Sequence, residues 1–213
     1  MRVSGSGALF VSLIILAAGS SSRMGRPKQT LPWMGAPLLT WQVEQGGRSR
    51  ADEVIVVLGE DAADFRPLLP ERLDRAPAYS IIENPDYARG KTTSVLAGLR
   101  AADPRSTDWI FLAMDSPRPA EITDALIEAH MAGGLPITYP WHGSIEGHPP
   151  VMNAALRGEI EAITEAGRGL RGVTERDPSR VNRVEFSEPV VIINMNSPED
   201  YERALSVTGQ GGS

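Results

Sequence analysis

Along the first half of the chain, short apolar runs alternate with segments whose apolar residues recur at helical spacing. "VSLIIL" (11–16), "EVIVVL" (53–58), "YSIIE" (79–83) and "WIFLA" (109–113) are β-branched or aromatic and nearly continuous, the pattern of strands covered on both faces. Residues 37–45, 62–69, 92–101 and 122–131 lie between or after them and read as helices. This βαβα order predicts an α/β protein: a three-layer α/β/α arrangement around a mostly parallel, twisted sheet, with the strand-to-helix loops gathered along one edge.

The second half is less regular. "PITYPWHGSIEGHPPVM" (136–152) is rich in Gly, Pro and aromatics and reads as a strand, a loop and a second short strand. Helical segments near 155–165 and 168–175 follow, then "VNRVEF" and "PVVIIN". "SPEDYERAL" carries a helix-start signal, with Ser197 at the N-cap, Pro198 at N1 and acidic residues in the first turn. The expected organisation is a single domain over 1–205, in two halves (8–115 and 116–205), with 206–213 as a disordered tail. Residues 8–18 could pass for a signal-peptide core. They are too short to cross a bilayer, which takes about 20 apolar residues, and are read as the first strand.

Composition narrows the classes. A chain of 213 residues, 41% hydrophobic and 23% charged, is ordinary for a soluble globular protein. Its net charge of −6 argues against nucleic acid and against an anionic membrane surface as partners. The absence of cysteine removes disulfides, thiolate metal sites and cysteine nucleophiles, and suits a cytoplasmic setting. Of 21 basic residues only Lys28 and Lys91 are lysines, and both sit beside Gly- and Ser-containing turns.

Within this acidic chain, "LAAGSSSRMGRPKQTLPW" (16–33) concentrates positive charge directly after the first strand. It has neither the G-x-G-x-x-G of a dinucleotide fold nor the P-loop spacing. Its parts nevertheless suit an anion. Ala17, Ala18 and Gly19 allow backbone N–H groups close approach, and Ser20 to Ser22 add hydroxyls. Arg23 can fork onto phosphate oxygens and Lys28 supplies a movable point charge. Taken alone, the stretch is also compatible with a solvated Ser/Gly loop. Asp115, after "WIFLA", should emerge at the same sheet edge, where it either ligates a hard cation or merely begins the turn before Pro117. His130 and His142 read as surface groups.

The motif L-A-A-G-x-S-x-R-M-G-x-P-K-x-x-L-P-W resembles the signature of the MobA-like NTP transferases, and most closely the branch of molybdenum cofactor cytidylyltransferases. "VLGEDAADFRPLL", "NPDYARGKTTSVLAGL", "MDSPRP", "EGHPPVM" and "NMNSPEDY" match further family segments in order. The resemblance implies a nucleotide-diphospho-sugar transferase-like fold, whose Rossmann-like half (8–115) binds nucleotide and whose second half (116–205) binds the acceptor. It implies attack by an acceptor phosphate on the α-phosphorus of an NTP, with pyrophosphate leaving. By this resemblance Leu16, Ala17, Ala18, Gly19, Ser20 and Arg23 hold the nucleotide, Lys28 reaches the α-phosphate, and Gly90 and Ser94 meet the base. Asp115 would hold Mg2+, with Mn2+ as a substitute, and Gly147, His148 and Pro149 would face the acceptor.

The LAAG form points to CTP rather than GTP, and the implied acceptor is molybdopterin or its molybdenum form. Where the family ends in D-I-D-T-P, this chain reads Asn194-Met195-Asn196-Ser197-Pro198. Strand-like alternation would put Asn194 and Asn196 on one face toward the metal, as neutral ligands. "DSPRP" also fits cytidylyltransferases acting on methylerythritol phosphate. Further alternatives are a non-catalytic carrier of the cofactor to a molybdenum hydroxylase and a nicotinamide-linked oxidoreductase.

Overall fold

The computed structural model describes residues 9–19, 24–59, 61–74 and 78–209. The first apolar run forms strand β1 (Val11–Leu16), every residue of it buried. After the glycine loop, two short strands, β2 (Pro32–Trp33) and β3 (Ala36–Pro37), pair antiparallel and lead into helix α1 (Leu38–Arg48). Strand β4 (Glu53–Leu58), the one-turn helix α2 (Ala62–Phe65), strand β5 (Ala78–Glu83) and helix α3 (Lys91–Ala101) complete the first half with strand β6 (Asp108–Ala113). Helix α4 (Ala120–Gly133) then leads to β7 (Ile137–His142), β8 (Ile145–Glu146) and β9 (Val151–Asn153). Short helices α5 (Arg157–Glu161) and α6 (Leu170–Arg176), strand β10 (Val181–Glu185) and helix α7 (Pro198–Val207) end the described chain.

One sheet runs through both halves in the order β10-β7-β9-β6-β1-β4-β5, with β8 paired to β7. β1 is parallel to both β4 and β6, while β9 is the antiparallel strand between β6 and β7. Alternation along β1 builds both cores. Val11, Leu13 and Ile15 pack with α1, α4 and α7, whereas Ile14 and Leu16 pack with α3, α5 and α6. The chain moves outward from β1 to β4 and β5, then crosses back to place β6 on the other side of β1. Loops leaving β1 and β6 therefore diverge, and the crevice at this switch point is where open α/β sheets take ligands.

Within "PVVIIN", Pro189–Ile192 forms a 3-10 turn, since a proline cannot donate to a ladder and fits the first turn of a helix. Two expectations are corrected. Ser206 and Val207 belong to α7 and not to a tail, because the capping box of Ser197 and Asp200 starts a helix long enough to run through them. Residues 210–213 of the expected tail lie outside the described residues. His130 is buried, 7% exposed, on the inner face of α4, where its ring bonds Asp108 (2.9 Å) and Thr138 (2.8 Å). His142 is half-buried, with Nδ1 2.9 Å from the Phe186 carbonyl. Among the described residues no helix is long and apolar enough to cross a membrane.

Candidate active site

The loop after β1 begins as an extension of the sheet. The Ala17 N–H donates to the Val57 carbonyl (2.9 Å) and the Ala17 carbonyl accepts from Gln29 Nε2 (2.7 Å). Ala17 is thus committed to the protein at both polar groups and is fully buried. Leu16, Ala18 and Gly19 line a cavity of about 180 Å³ together with Lys28, Gln29, Ser94 and Asp115. Ser20 and Arg23, expected to grip phosphate, lie outside the described residues.

Gln29 escaped the reading of the sequence. It is 2% exposed, and its Nε2 donates to the carbonyls of Ala17 (2.7 Å) and Gly19 (3.4 Å), which fixes the course of the loop. Its Oε1 has no hydrogen-bond partner among the described residues, a rarity for a buried amide. The signal available was a polar residue wedged between Lys28 and an apolar stretch, which is too weak to single out.

Lys28 and Asp115 meet, with Nζ 3.7 Å from Oδ2. The C-terminal segment joins them: Lys28 Nζ donates to Asn196 Oδ1 (3.2 Å), and Asn196 Nδ2 donates to Asn194 Oδ1 (3.0 Å). Met195 N–H donates to the Asp115 carbonyl (2.8 Å), so this segment is laid along the turn after β6. Among the described residues no three His, Cys, Asp or Glu side chains come together as a metal cage. Asp115 and the two asparagines are hard oxygen donors of the kind magnesium takes, but they bring one negative charge. They suit a cation that arrives with phosphate oxygens as its remaining ligands.

The start of α3 is held by Asn84, a second residue missed although "NPDY" displays it. Its Nδ2 donates to Thr93 Oγ1 (2.8 Å) and Ser94 Oγ (3.0 Å), and its Oδ1 accepts from Asp86 N–H (3.1 Å). Ser94, 5% exposed, is thereby held at the cavity wall. Gly90 has φ +126°, and a Cβ there would come within 2.4 Å of the Glu165 carboxyl, so only glycine suits the position. Glu165 Oε1 in turn accepts from Thr92 N–H (2.6 Å) at the start of α3.

A second cavity, of about 720 Å³, adjoins the first and shares Leu16, Lys91 and Ala113 with it. Its floor is aromatic (Phe111, Tyr139, Trp141), and Lys91, Glu146 and His148 stand in its walls. His148 lines it; Gly147 and Pro149 are not among its lining residues and shape the loop instead. A Cβ on Gly147 would lie 2.4 Å from the Val191 carbonyl. Loss of solvent, then Lys91 and Arg118, push the His148 imidazole down to about 4. It is neutral at pH 7, which leaves Lys91 as the cation shared by both cavities.

Arg118 joins these parts. It is 0% exposed, and its guanidinium donates to the carbonyls of Pro117 (2.7 Å), His148 (2.7 Å), Val191 (2.6 Å) and Ile193 (3.0 Å). Gln42 holds its backbone at both N–H and C=O. Burial pushes Arg118 down to about 9, with Asp115 opposing.

A small-residue loop, a lysine and an aspartate converging at the switch point of a mostly parallel sheet, beside a larger acceptor-sized cavity, define a nucleotidyltransferase of the α/β class. The chain belongs to the MobA-like NTP transferase family, whose domain matches residues 13–184. It is 32% identical to the molybdenum cofactor cytidylyltransferase of Escherichia coli, over 90% of this chain and 93% of that protein. It is 27% identical to a nicotine blue oxidoreductase of Paenarthrobacter nicotinovorans, over 92% of this chain and 96% of that one. Among solved structures, a nucleotidyl transferase from Methanothermobacter superposes with a TM-score of 0.73 at 23% identity, covering 91% of this chain and 95% of that one.

Proposed function

We propose that the protein transfers CMP from CTP to the phosphate of molybdopterin or its molybdenum form, with Mg2+, in the cytoplasm. The observation that carries this reading is the meeting of Lys28, Asp115 and the loop after β1 at one cavity, with Lys91 at the junction to a second. An acceptor phosphate oxygen attacks the α-phosphorus, the bond from that phosphorus to the bridging oxygen breaks, and pyrophosphate leaves. The attacking group is already anionic at neutral pH, so no general base is required. Catalysis is positioning and charge neutralisation.

In this reading Lys28 binds the α-phosphate, and Ala18, Gly19, Ser20 and Arg23 the rest of the triphosphate. Ser94 and the turn at Gly90 border the base, and Asp115, with Asn194 and Asn196 as neutral donors, holds the cation. Magnesium bound with the nucleotide supplies further neutralisation of the phosphates. Lys91 draws the acceptor phosphate, while neutral His148 offers a hydrogen bond from the loop that Gly147 and Pro149 shape.

The deciding experiment is a pyrophosphate-release screen of CTP, GTP, ATP and UTP against purified molybdenum cofactor and simple polyol phosphates. Release with CTP and the cofactor is expected. Equal or better use of GTP moves the chain to the guanylyltransferase branch, and release with methylerythritol phosphate alone changes the acceptor. Tight cofactor binding without release makes it a carrier for a molybdenum hydroxylase. A redox reading has one observation on its side, the 27% identity to a nicotine blue oxidoreductase. Oxidation of NADH or NADPH with a dye acceptor, without pyrophosphate release, would establish it.

A further inference from the structure

We propose that Lys28 is the resident cation of the Asp115–Asn196 site, and that a divalent ion enters only together with the triphosphate, as the ammonium leaves these oxygens for phosphate. The second clause rests on the nucleotidyl-transfer reading; the first does not. Two oxygens from chain segments about eighty residues apart, Asp115 Oδ2 and Asn196 Oδ1, point at one place, and the Lys28 ammonium is there at 3.7 and 3.2 Å.

The oxygens are held independently of the lysine. Asp115 is fixed by Met195 N–H on its carbonyl and by Ser116 Oγ on its Oδ1 (3.0 Å). The Asn196 N–H donates to Asp200 Oδ2 (3.2 Å). Its Nδ2 is committed to Asn194, so its Oδ1 is the atom turned to the lysine. The ammonium is carried differently. The neighbouring Gln29 is locked to the loop, so the Lys28 ammonium reaches these oxygens from an anchored backbone on a four-carbon stem of rotatable bonds.

The charge balance then decides who occupies the site. Asp115 contributes one negative charge, Lys28 one positive, and both asparagines none, so the four side chains sum to zero. Buried Arg118 adds a positive charge behind the Asp115 turn. Affinity of oxygen sites for divalent ions follows the charge of their ligands, and magnesium gives up water reluctantly. A free dication would have to displace a tethered ammonium for a single carboxylate. A triphosphate changes both sides of that balance, because it carries negative charge to the dication and offers the ammonium a better partner.

Binding of Mn2+ to the nucleotide-free full-length chain, read by electron paramagnetic resonance, tests this without turnover. The wild type should show no saturable site up to millimolar Mn2+. Lys28→Ala and Asn196→Asp should each bind Mn2+ at least about tenfold more tightly, and the double variant more tightly than either. Adding CTP to the wild type should create one bound Mn2+ per chain. Micromolar binding by the free wild type, or loss of binding in Lys28→Ala relative to it, overturns the proposal. The two single variants alter different segments, so misfolding of one leaves the other to decide, with near-ultraviolet circular dichroism checking each. If neither CTP nor GTP creates a Mn2+ site while Lys28→Ala still gains one, the nucleotidyl-transfer reading fails and the resident-cation assignment stands.

Discussion

Arg118 brings a full positive charge into a place solvent does not reach, and among the described residues no carboxylate pairs with it. Four carbonyls from three chain segments satisfy it instead. Arg118→Met should therefore lower unfolding free energy by at least about 3 kcal/mol in urea titrations, since charged hydrogen bonds contribute about 1.5–3 kcal/mol each. Lysine should recover part of that only, because an ammonium cannot span the same four acceptors. Lys28 is the contrasting case: Lys28→Ala should keep the fold and lower kcat/KM roughly 10- to 100-fold, the loss of one charge-assisted phosphate bond.

The pH behaviour belongs to the same scale. His148 has its folded value pushed down to about 4, below the ordinary histidine value of about 6.5. Between these values the unfolded chain holds a proton that the folded chain does not, so His148 contributes a loss of stability as pH falls through that window. Its ring resonances should stay those of neutral imidazole at pH 5.5, as an NMR titration would show, and His148→Gln should reduce the acid-side loss of stability. A His148 titration midpoint near 6.5 would count against its placement over the cavity floor.

At the scale of elements, α4 and α7 show how local patterns acquire tertiary work. His130 continues the buried stripe of Ile122, Leu126 and Ile127, so its helical spacing was the available sign that it faces inward. Burial alone would raise the carboxyl of Asp108, but bonds from His130, Thr107 and Asn153 hold it below its usual value. His130→Phe removes one of those donors from a carboxylate that is 2% exposed. It should destabilise the protein by about 1–3 kcal/mol in thermal or urea unfolding. The capping box on α7 was legible because its residues are adjacent in sequence. Ser197→Ala should lose about 1 kcal/mol by the same measurements, and since Asp200 also holds Asn196 N–H, it should loosen the segment that reaches Lys28.

At the scale of the molecule, the sheet order places the ends of β1 and β6 side by side and lays the 194–196 segment across the second of them. Binding of Mg-CTP should slow amide exchange at 16–19, 113–115 and 194–196 together, while the β10 edge stays unchanged. Ligand at 100 times its Kd should also add about 2.7 kcal/mol to stability.

The sequence by itself determined the four apolar strands of the first half, the cation-rich loop after the first, the pair of positioned lysines and the α7 cap. Each is written in neighbouring residues, as periodicity, a glycine, or a cap and its partner three positions on. The tertiary structure decided what depends on residues far apart in the chain. It turned His130 inward, spent the backbone of Ala17 on β4, made a 3-10 turn of "PVVIIN", gathered four carbonyls around Arg118 and set Lys28 between Asp115 and Asn196. The physical reason is that burial and charge pairing belong to positions in space. A one-dimensional pattern shows which residues can be buried or charged, and only the packed sheet chooses their partners.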